Sequence, residues 1–164
     1  MGGCNSSGSA NVEQNTTKGG KDTAQDKSVE GNIAAVRADA QKHAVNFFVY
    51  FFTKYPNQQA RFADYKDCDP ESLRTNAELS RHATKVVSSL LDVVERSGEK
   101  GRLDKDVNMV VNMPQHKGLT MDDYTELFGT LLPFLQETLG DLCDVQGWEK
   151  VKDAFLSSLK KAGV

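Results

Sequence analysis

The sequence contains few cysteines, and their positions suggest neither a disulfide framework nor a metal site. Its 164 residues include only three, Cys4, Cys68 and Cys143. Their wide spacing fits neither a zinc site nor a set of paired disulfides. Isolated thiols in an odd number are typical of proteins from a reducing compartment. We therefore expect neither a cysteine-based metal centre nor a disulfide scaffold.

Other absences exclude whole classes of protein. No apolar run reaches the roughly 18–20 residues that a membrane-spanning helix needs, and no apolar segment of the signal-peptide kind is present. The net charge is −3 at pH 7, and no dense group of Lys and Arg is interleaved with aromatic residues, which argues against a nucleic-acid partner. The sequence has no phosphate-binding loop, no nucleophile beside a base and no distinctive carboxylate pair. It therefore indicates no hydrolytic or transferase enzyme.

The first 27 residues differ from the rest because they are polar and offer almost nothing to bury. Such a segment cannot offset its ordering entropy, so we expect residues 1–27 to be disordered. The opening Met-Gly-Gly-Cys-Asn-Ser matches the N-myristoylation pattern, with Gly2 as acceptor once Met1 is removed. Cys4 lies where a second chain, palmitoyl, is commonly added, and two chains anchor a protein stably to a membrane. The alternative is a Gly-rich start with an incidental cysteine.

From Ser28 onward, apolar residues recur at the three- and four-residue spacing of amphipathic helices. The strongest patterns cover residues 44–55, 79–94, 124–139 and 145–159. Pro56 ends one helix, and Thr120 with Asp123 opens another through a capping arrangement. No segment alternates with a period of two. We therefore predict an all-α domain of six or more helices over residues 28–164.

The helix around His82 is central to the pattern. Its apolar residues follow helical spacing, and His82 lies three residues after Leu79 on the same face. A buried imidazole needs a partner, because an unpaired buried polar group costs roughly 1–3 kcal/mol. That partner could be a backbone carbonyl or an ion. We expect the buried face to consist of Leu79, Val86, Val87, Leu90, Val93 and Val94.

From about Val29 to its C-terminus the chain resembles the globin family, in particular the membrane-bound, N-acylated globins. Phe51–Pro56, followed six residues later by Phe62, is similar to the globin corner that carries a haem-stacking phenylalanine. His82 follows Phe62 by twenty residues, close to the family spacing for the distal histidine. The start of the last globin helix is matched by Trp148, Glu149, Lys150, Val151 and Phe155. The resemblance implies a globin fold of six to eight helices around a haem pocket.

The resemblance also implies roles for individual residues. His116 would be the proximal ligand of the haem iron. His82 would be the distal histidine, either as the sixth ligand or as a hydrogen-bond donor to O₂. Phe62 would stack on the porphyrin of a haem b. The other residues implied to line the pocket are Phe48 and Val86 on the distal side, with Leu119, Tyr124 and Leu127 on the proximal side and floor.

Simpler interpretations stand beside these roles. Without the resemblance, His116 is an exposed loop histidine, and His43 is a solvated one. Lys85 either reaches a haem propionate or is an ordinary exposed lysine. Plain core packing would equally explain Phe48, Val86 and Leu127.

The chain departs from the family pattern near His116. The interval from His82 to His116 is longer than usual in globins, and Pro114 lies two residues before His116. Proline ends a helix because it lacks an N–H and disfavours helix in the preceding residue. We therefore expect His116 on a short turn that begins at Pro114.

Taken together, the sequence predicts a haem globin that is tethered to the cytoplasmic face of a membrane, the plasma membrane first, and is otherwise cytoplasmic. Its ligands would be O₂ and other small gases. A tether gives little advantage to an oxygen carrier, so the resemblance favours electron transfer with a redox partner, protection of lipids from peroxides, or sensing and processing of O₂ or NO. Peroxidase-like or nitric-oxide activity therefore stays open. The alternatives are a soluble O₂ store and a haem-free helical interaction module.

Overall fold

The computed structural model describes residues 26–164, which form seven α-helices and three short 3₁₀ helices. No strand occurs within this range, so the all-α prediction is confirmed. The proposed acylation sites Gly2 and Cys4, and the predicted disordered segment through residue 25, lie outside the described residues. The α-helices are α1 Val29–Ala38, α2 Ala40–Lys54, α3 Pro56–Gln59, α4 Ala77–Arg96, α5 Arg102–Val111, α6 Met121–Leu139 and α7 Val145–Lys161. The 3₁₀ helices are Pro70–Thr75, Pro114–His116 and Gly140–Leu142.

Side-chain caps fix several helix starts where the sequence predicts them. The Ser28 hydroxyl accepts a hydrogen bond from the Gly31 N–H at 3.0 Å and opens α1. At α6, Thr120 and Asp123 form a reciprocal capping box. The predicted start at Asp69 opens the Pro70–Thr75 3₁₀ helix, and Asn76 then caps α4. These caps satisfy backbone N–H groups that have no partner inside a helix.

An aromatic core gathers around α2. Its phenylalanines pack edge to face or stacked on one another, and Phe47 also packs against Phe134 of α6 at 5.5 Å between ring centroids. Phe128 of α6 packs on Phe155 of α7 at 4.7 Å. The helix pairs α2–α4, α2–α6, α6–α7 and α5–α7 are in contact. None of the described helices has the length and hydropathy needed to cross a bilayer.

The buried face of α4 is rotated from the predicted one. Ala83 and Leu91 are buried, whereas Val86 and Leu90 are only partly covered and His82 is exposed. Helical periodicity identifies an apolar arc but does not tell which edge of that arc meets the core. The predicted partner for His82 is therefore not required, because its ring is not enclosed by protein.

A buried asparagine joins the first helix to the last. The Asn32 side chain donates to the Leu142 carbonyl at 2.7 Å. Its amide oxygen accepts from the Asp144 N–H at 2.8 Å and the Trp148 indole N–H at 3.1 Å. Both backbone neighbours of Cys143 are thus held, and the Cys143 side chain is buried, while that of Cys68 is exposed.

Candidate functional site

His82 lies where three parts of the chain meet. Its ring centroid is 5.9 Å from that of Phe48 on α2 and 5.7 Å from that of Phe62 in the loop after α3. The ring planes are nearly perpendicular in both pairs, at 85° and 88°. Phe48 and Phe62 also contact each other at 6.1 Å. Edge-to-face packing of this kind favours one orientation of the imidazole.

The surroundings of His82 favour its neutral form. Burial of part of the ring, and then the positive charge of Lys85, lower the pKa of His82 below its ordinary value of 6.5. Within residues 26–164 neither ring nitrogen has a hydrogen-bond partner. One side of the ring faces the two phenylalanines and the other is open, which explains how the residue can be exposed and still partly desolvated. A neutral imidazole with an unused nitrogen is the form that binds metal ions.

A half-covered apolar strip runs along α4 from His82. Val86 and Leu90 follow it at four-residue intervals, so the three side chains share one side of the helix. Phe62 is also only partly covered, while Phe48 is buried. Apolar side chains that remain partly open beside a neutral histidine fit a flat apolar group better than water.

His116 lies in the 3₁₀ helix Pro114–His116, as the sequence predicts. Its Nδ1 is 2.8 Å from the carbonyl oxygen of Val110. Because that oxygen can only accept, Nδ1 must carry the hydrogen and donate it. Nε2 is then unprotonated in the neutral ring and is available as a ligand.

Val110 contacts the candidate ligand His116 through its carbonyl, and the sequence analysis missed it. Inside an α-helix the carbonyl of residue 110 would accept from the N–H of residue 114, but Pro114 has none. The carbonyl instead accepts from the Met113 N–H at 3.1 Å and from His116. The signal was therefore present, as a proline four residues after Val110 and two before His116.

Gln59 holds the loop that carries Phe62, and sequence reasoning missed it too. This buried side chain donates to the carbonyls of Tyr65 and Cys68, both at 2.7 Å. Phe62 stacks on Tyr65 at 6.3 Å within the same loop. The loop is thus tied to α3 by two hydrogen bonds, which positions Phe62 against His82.

A polar network connects α3 to the start of α6. Gln58 donates to Asp123 at 2.8 Å and to Glu126 at 2.6 Å, and Arg61 pairs with Asp123 at 2.9 Å. Burial by itself would raise the pKa of Asp123. Hydrogen bonds from Thr120 and Gln58, with the charge of Arg61, outweigh burial and lower that pKa below its ordinary value of 3.8.

The residues predicted for the pocket floor lie on or just before α6. Tyr124 is buried, whereas Leu119 and Leu127 are only partly covered. The Tyr124 hydroxyl is buried and has no hydrogen-bond partner among the described residues. Burial, and then the charge of Asp123, raise the pKa of Tyr124. A buried hydroxyl without a partner is rare, and it fits a site whose full contents include a further group.

The structure brings only part of the predicted site into direct contact. Phe48, Phe62 and His82 touch one another, but among residues 26–164 no hydrogen bond or ring contact joins His116 to them. Lys85 is exposed and lines a separate cavity between α2 and α4. Phe48, Phe62 and His82 thus form one contact group, and the role of His116 rests on its own hydrogen bond to Val110.

Comparisons with known proteins identify the family of the chain. The globin family model matches residues 45–159. A globin from Nerita albicilla is 30% identical over 139 residues, which cover 80% of this chain and 85% of that protein. Globin CTT-V from Chironomus thummi piger is 27% identical over 112 residues, covering 66% of this chain and 69% of that one.

The fold has a counterpart among solved structures. A crystal structure of a double mutant of myoglobin from Aplysia limacina matches with a TM-score of 0.72 at 18% identity, covering 83% of this chain and 94% of that one. This likeness supports the fold, and the family model supports membership. The chain belongs to the globin family, and that membership implies a haem cofactor and oxygen as its ligand.

Proposed function

We propose that this globin is a membrane-tethered redox protein whose haem is held between His116 and His82. The observation that carries the proposal is the hydrogen bond from His116 Nδ1 to the Val110 carbonyl, at 2.8 Å. It leaves Nε2 of the neutral ring as a free electron-pair donor. Haem, when bound, supplies an iron that takes up oxygen and cycles between two oxidation states.

His82 is the proposed ligand on the opposite side. Its lowered pKa keeps the ring neutral at pH 7, and no described residue uses either nitrogen. Phe48 and Phe62 fix the orientation of the ring. Two neutral imidazoles would suit a bound haem iron to electron transfer, because electron transfer does not require either histidine to be replaced by another ligand.

The remaining pocket residues bind the haem faces and exclude water. Phe62 provides an aromatic ring for stacking, and Val86, Leu119 and Leu127 provide apolar contacts. Phe48 adds bulk and offers no hydrogen bond to a small ligand. Cysteine attachment of haem needs a Cys-x-x-Cys-His segment, and this sequence contains none, so we take the group to be haem b.

The proposal of a membrane tether is supported by the sequence. Gly2 and Cys4 provide the acceptors for myristoyl and palmitoyl chains, and two chains give stable anchoring to the cytoplasmic face of a membrane. A protein held at a membrane reacts with partners and lipids in that layer instead of diffusing with oxygen. We therefore assign it to electron transfer, lipid protection or sensing.

The test is the visible spectrum of the full chain loaded with hemin and reduced without added ligand. Sharp paired bands are expected for wild type, and His82→Leu should change them to one broad band. His43→Gln is the matched control, because His43 lies on α2 away from the ring contacts described above. A broad band in wild type that His82→Leu leaves unchanged would overturn ligation by His82.

Soluble oxygen storage is the second candidate. The exposure of His82 favours it, because a ring that is open on one side can stand away from iron and donate a hydrogen bond. Acyl labelling and membrane fractionation of wild type, Gly2→Ala and Cys4→Ser discriminate the two. An unlabelled wild type that stays in the soluble fraction would favour storage.

A further inference from the structure

A cationic cavity lies between α2, the Pro70–Thr75 helix and α4. Its volume is ≈ 770 Å³, and its charged lining side chains are Arg74, Arg81 and Lys85. No carboxylate is among its lining residues in the described part of the chain. Ser80 and Ser88 contribute hydroxyls to the same wall. The chain therefore places three positive charges around one open, concave site.

Arg74 is fixed in this cavity before any ligand arrives. Its Nε and Nη2 donate to the two oxygens of Glu71 at 2.6 and 2.9 Å, and Nη1 donates to Asn46 at 2.7 Å. A guanidinium has five N–H donors, so these bonds leave one N–H on each terminal nitrogen. A fixed fork with spare donors loses little entropy when it binds an anion.

Arg81 and Lys85 are the uncommitted charges. The nearest carboxylate to Arg81 is Glu78, at 3.6 Å, beyond hydrogen-bond length. Lys85 forms no ion pair with any residue in the range 26–164. Glu71 neutralises Arg74 and Glu78 offsets part of Arg81, so the net positive charge is concentrated toward Lys85.

A second cavity shows that this arrangement is not general to the surface. It has a volume of ≈ 610 Å³, and its lining mixes Glu99 and Asp104 with lysines and an arginine. Asp104 is already bound by Lys161 at 2.9 Å and Ser158 at 2.7 Å. The lining of the second cavity thus contains two carboxylates, which would repel an anion, whereas the lining of the first contains none.

We propose that the cationic cavity binds a phosphate-bearing anion. A phosphate ester carries about −1.5 to −2 charge at pH 7 and three acceptor oxygens, which match a guanidinium fork, an ammonium and neighbouring hydroxyls. The site lies on the side of α4 away from Val86, because Ser80, Arg81 and Ser88 follow one helical face and His82 begins another. Lys85 borders both regions, because its charge also acts on His82, whereas Arg74, Arg81 and the two serines lie on the cavity side; the proposal does not depend on the proposed redox role.

The phosphate could come from a soluble molecule or from a lipid headgroup, and two binding assays separate these sources. In the first, pyrophosphate is titrated calorimetrically into the full chain. In the second, the full chain is sedimented with phosphatidylcholine vesicles that contain or lack phosphatidic acid. All proteins carry Gly2→Ala, so that acyl chains do not contribute to vesicle binding.

Three proteins enter both assays: the parent, the double variant Arg81→Ala/Lys85→Ala, and the control Lys100→Ala/Lys105→Ala from the second cavity. Both double variants remove the same charge, and all four side chains are exposed, so folding should be retained. We expect the Arg81/Lys85 variant to bind about tenfold more weakly or worse, and the control to bind as the parent does.

Each outcome decides the proposal. If only the Arg81/Lys85 variant loses pyrophosphate binding, the ligand is a soluble phosphate. If that variant loses binding only to vesicles that contain phosphatidic acid, the ligand is a lipid headgroup. Absence of binding to both probes would overturn it. Equal weakening in the two double variants would overturn it as well, because net charge alone would then explain binding.

Discussion

His82, which we propose for the distal side, is held by ring packing from α2 and from the loop after α3. His116, which we propose for the proximal side, is held by one hydrogen bond to a backbone carbonyl. The distal ring contacts Phe48 and Phe62 at centroid distances below 6 Å. The proximal ring depends on a 3₁₀ helix of three residues and on Val110.

The two histidines are therefore prepared for iron binding in two different ways. Packing on the distal side fixes the orientation of a ring but leaves both nitrogens free. The hydrogen bond on the proximal side fixes which nitrogen is free but adds little to packing. Substitutions on the distal side should therefore affect folding stability most, and those on the proximal side should affect haem binding most.

The largest expected effect is the loss of haem in His116→Ala. Removing the ring removes the proposed iron ligand itself, so the loss should exceed the roughly 10–100-fold typical of losing an outer-shell partner. The haem-to-protein ratio after gel filtration measures it. His82→Ala should keep its haem and change only the spectrum. Equal retention by both variants would contradict the division between the two sides.

Phe48→Ala should be the most destabilising change on the distal side. The ring is 2% exposed and packs against Phe47, Phe52, Phe62 and His82. Truncation of such a ring costs about 3–5 kcal/mol in the free energy of unfolding. Urea denaturation of the haem-free chain measures this loss. A cost under about 1 kcal/mol would show that the distal cluster is loosely packed.

Gln59→Met should cost about 1–3 kcal/mol, because the carbonyls of Tyr65 and Cys68 lose their donor while the side-chain volume is kept. Gln115→Met, in the proximal turn, is the control, since Gln115 is exposed and makes only a 3.4 Å contact with the Met113 sulfur. Thermal unfolding of both variants gives the comparison. Equal melting temperatures for the two variants would indicate that the hydrogen bonds of Gln59 do not stabilise the Phe62 loop.

A smaller effect, confined to acid pH, is expected at Asp123. The folded state lowers the pKa of this carboxyl below 3.8, so its contribution to stability is present above that pH. The contribution is lost as the pH falls through the folded-state pKa. Stability curves of wild type and Asp123→Asn should therefore converge in acid. A difference in the free energy of unfolding that does not change with pH would exclude this linkage.

The smallest change is expected for Pro114→Ala, at about 1 kcal/mol or less. The new N–H at residue 114 can bond to the Val110 carbonyl and compete with His116. Haem dissociation should accelerate while the unfolding midpoint scarcely moves. An unchanged dissociation rate would indicate that Val110 does not orient the ring.

The sequence analysis succeeded where one residue type has one physical use. Proline at 56 and 114, and the Thr120–Asp123 box, marked helix boundaries that the structure has. The prediction of the buried face of α4 was partly wrong, because Val86 and Leu90 are as apolar as the core residues. Only the packing around them shows that they are half exposed. Gln59 was missed because it binds backbone carbonyls, which no sequence pattern displays. Val110 was missed because it acts through its own carbonyl, and the only signal for this was the position of Pro114.

The Asn32 network gives the chain a built-in reporter of local opening. Cys143 lies between the two backbone groups that Asn32 binds, while Cys68 is open to solvent. A thiol reagent should modify Cys68 at once and Cys143 only at the rate at which the junction of α1 and α7 separates. The time course of labelling would then measure how often the two ends of the described domain part, independently of any haem signal.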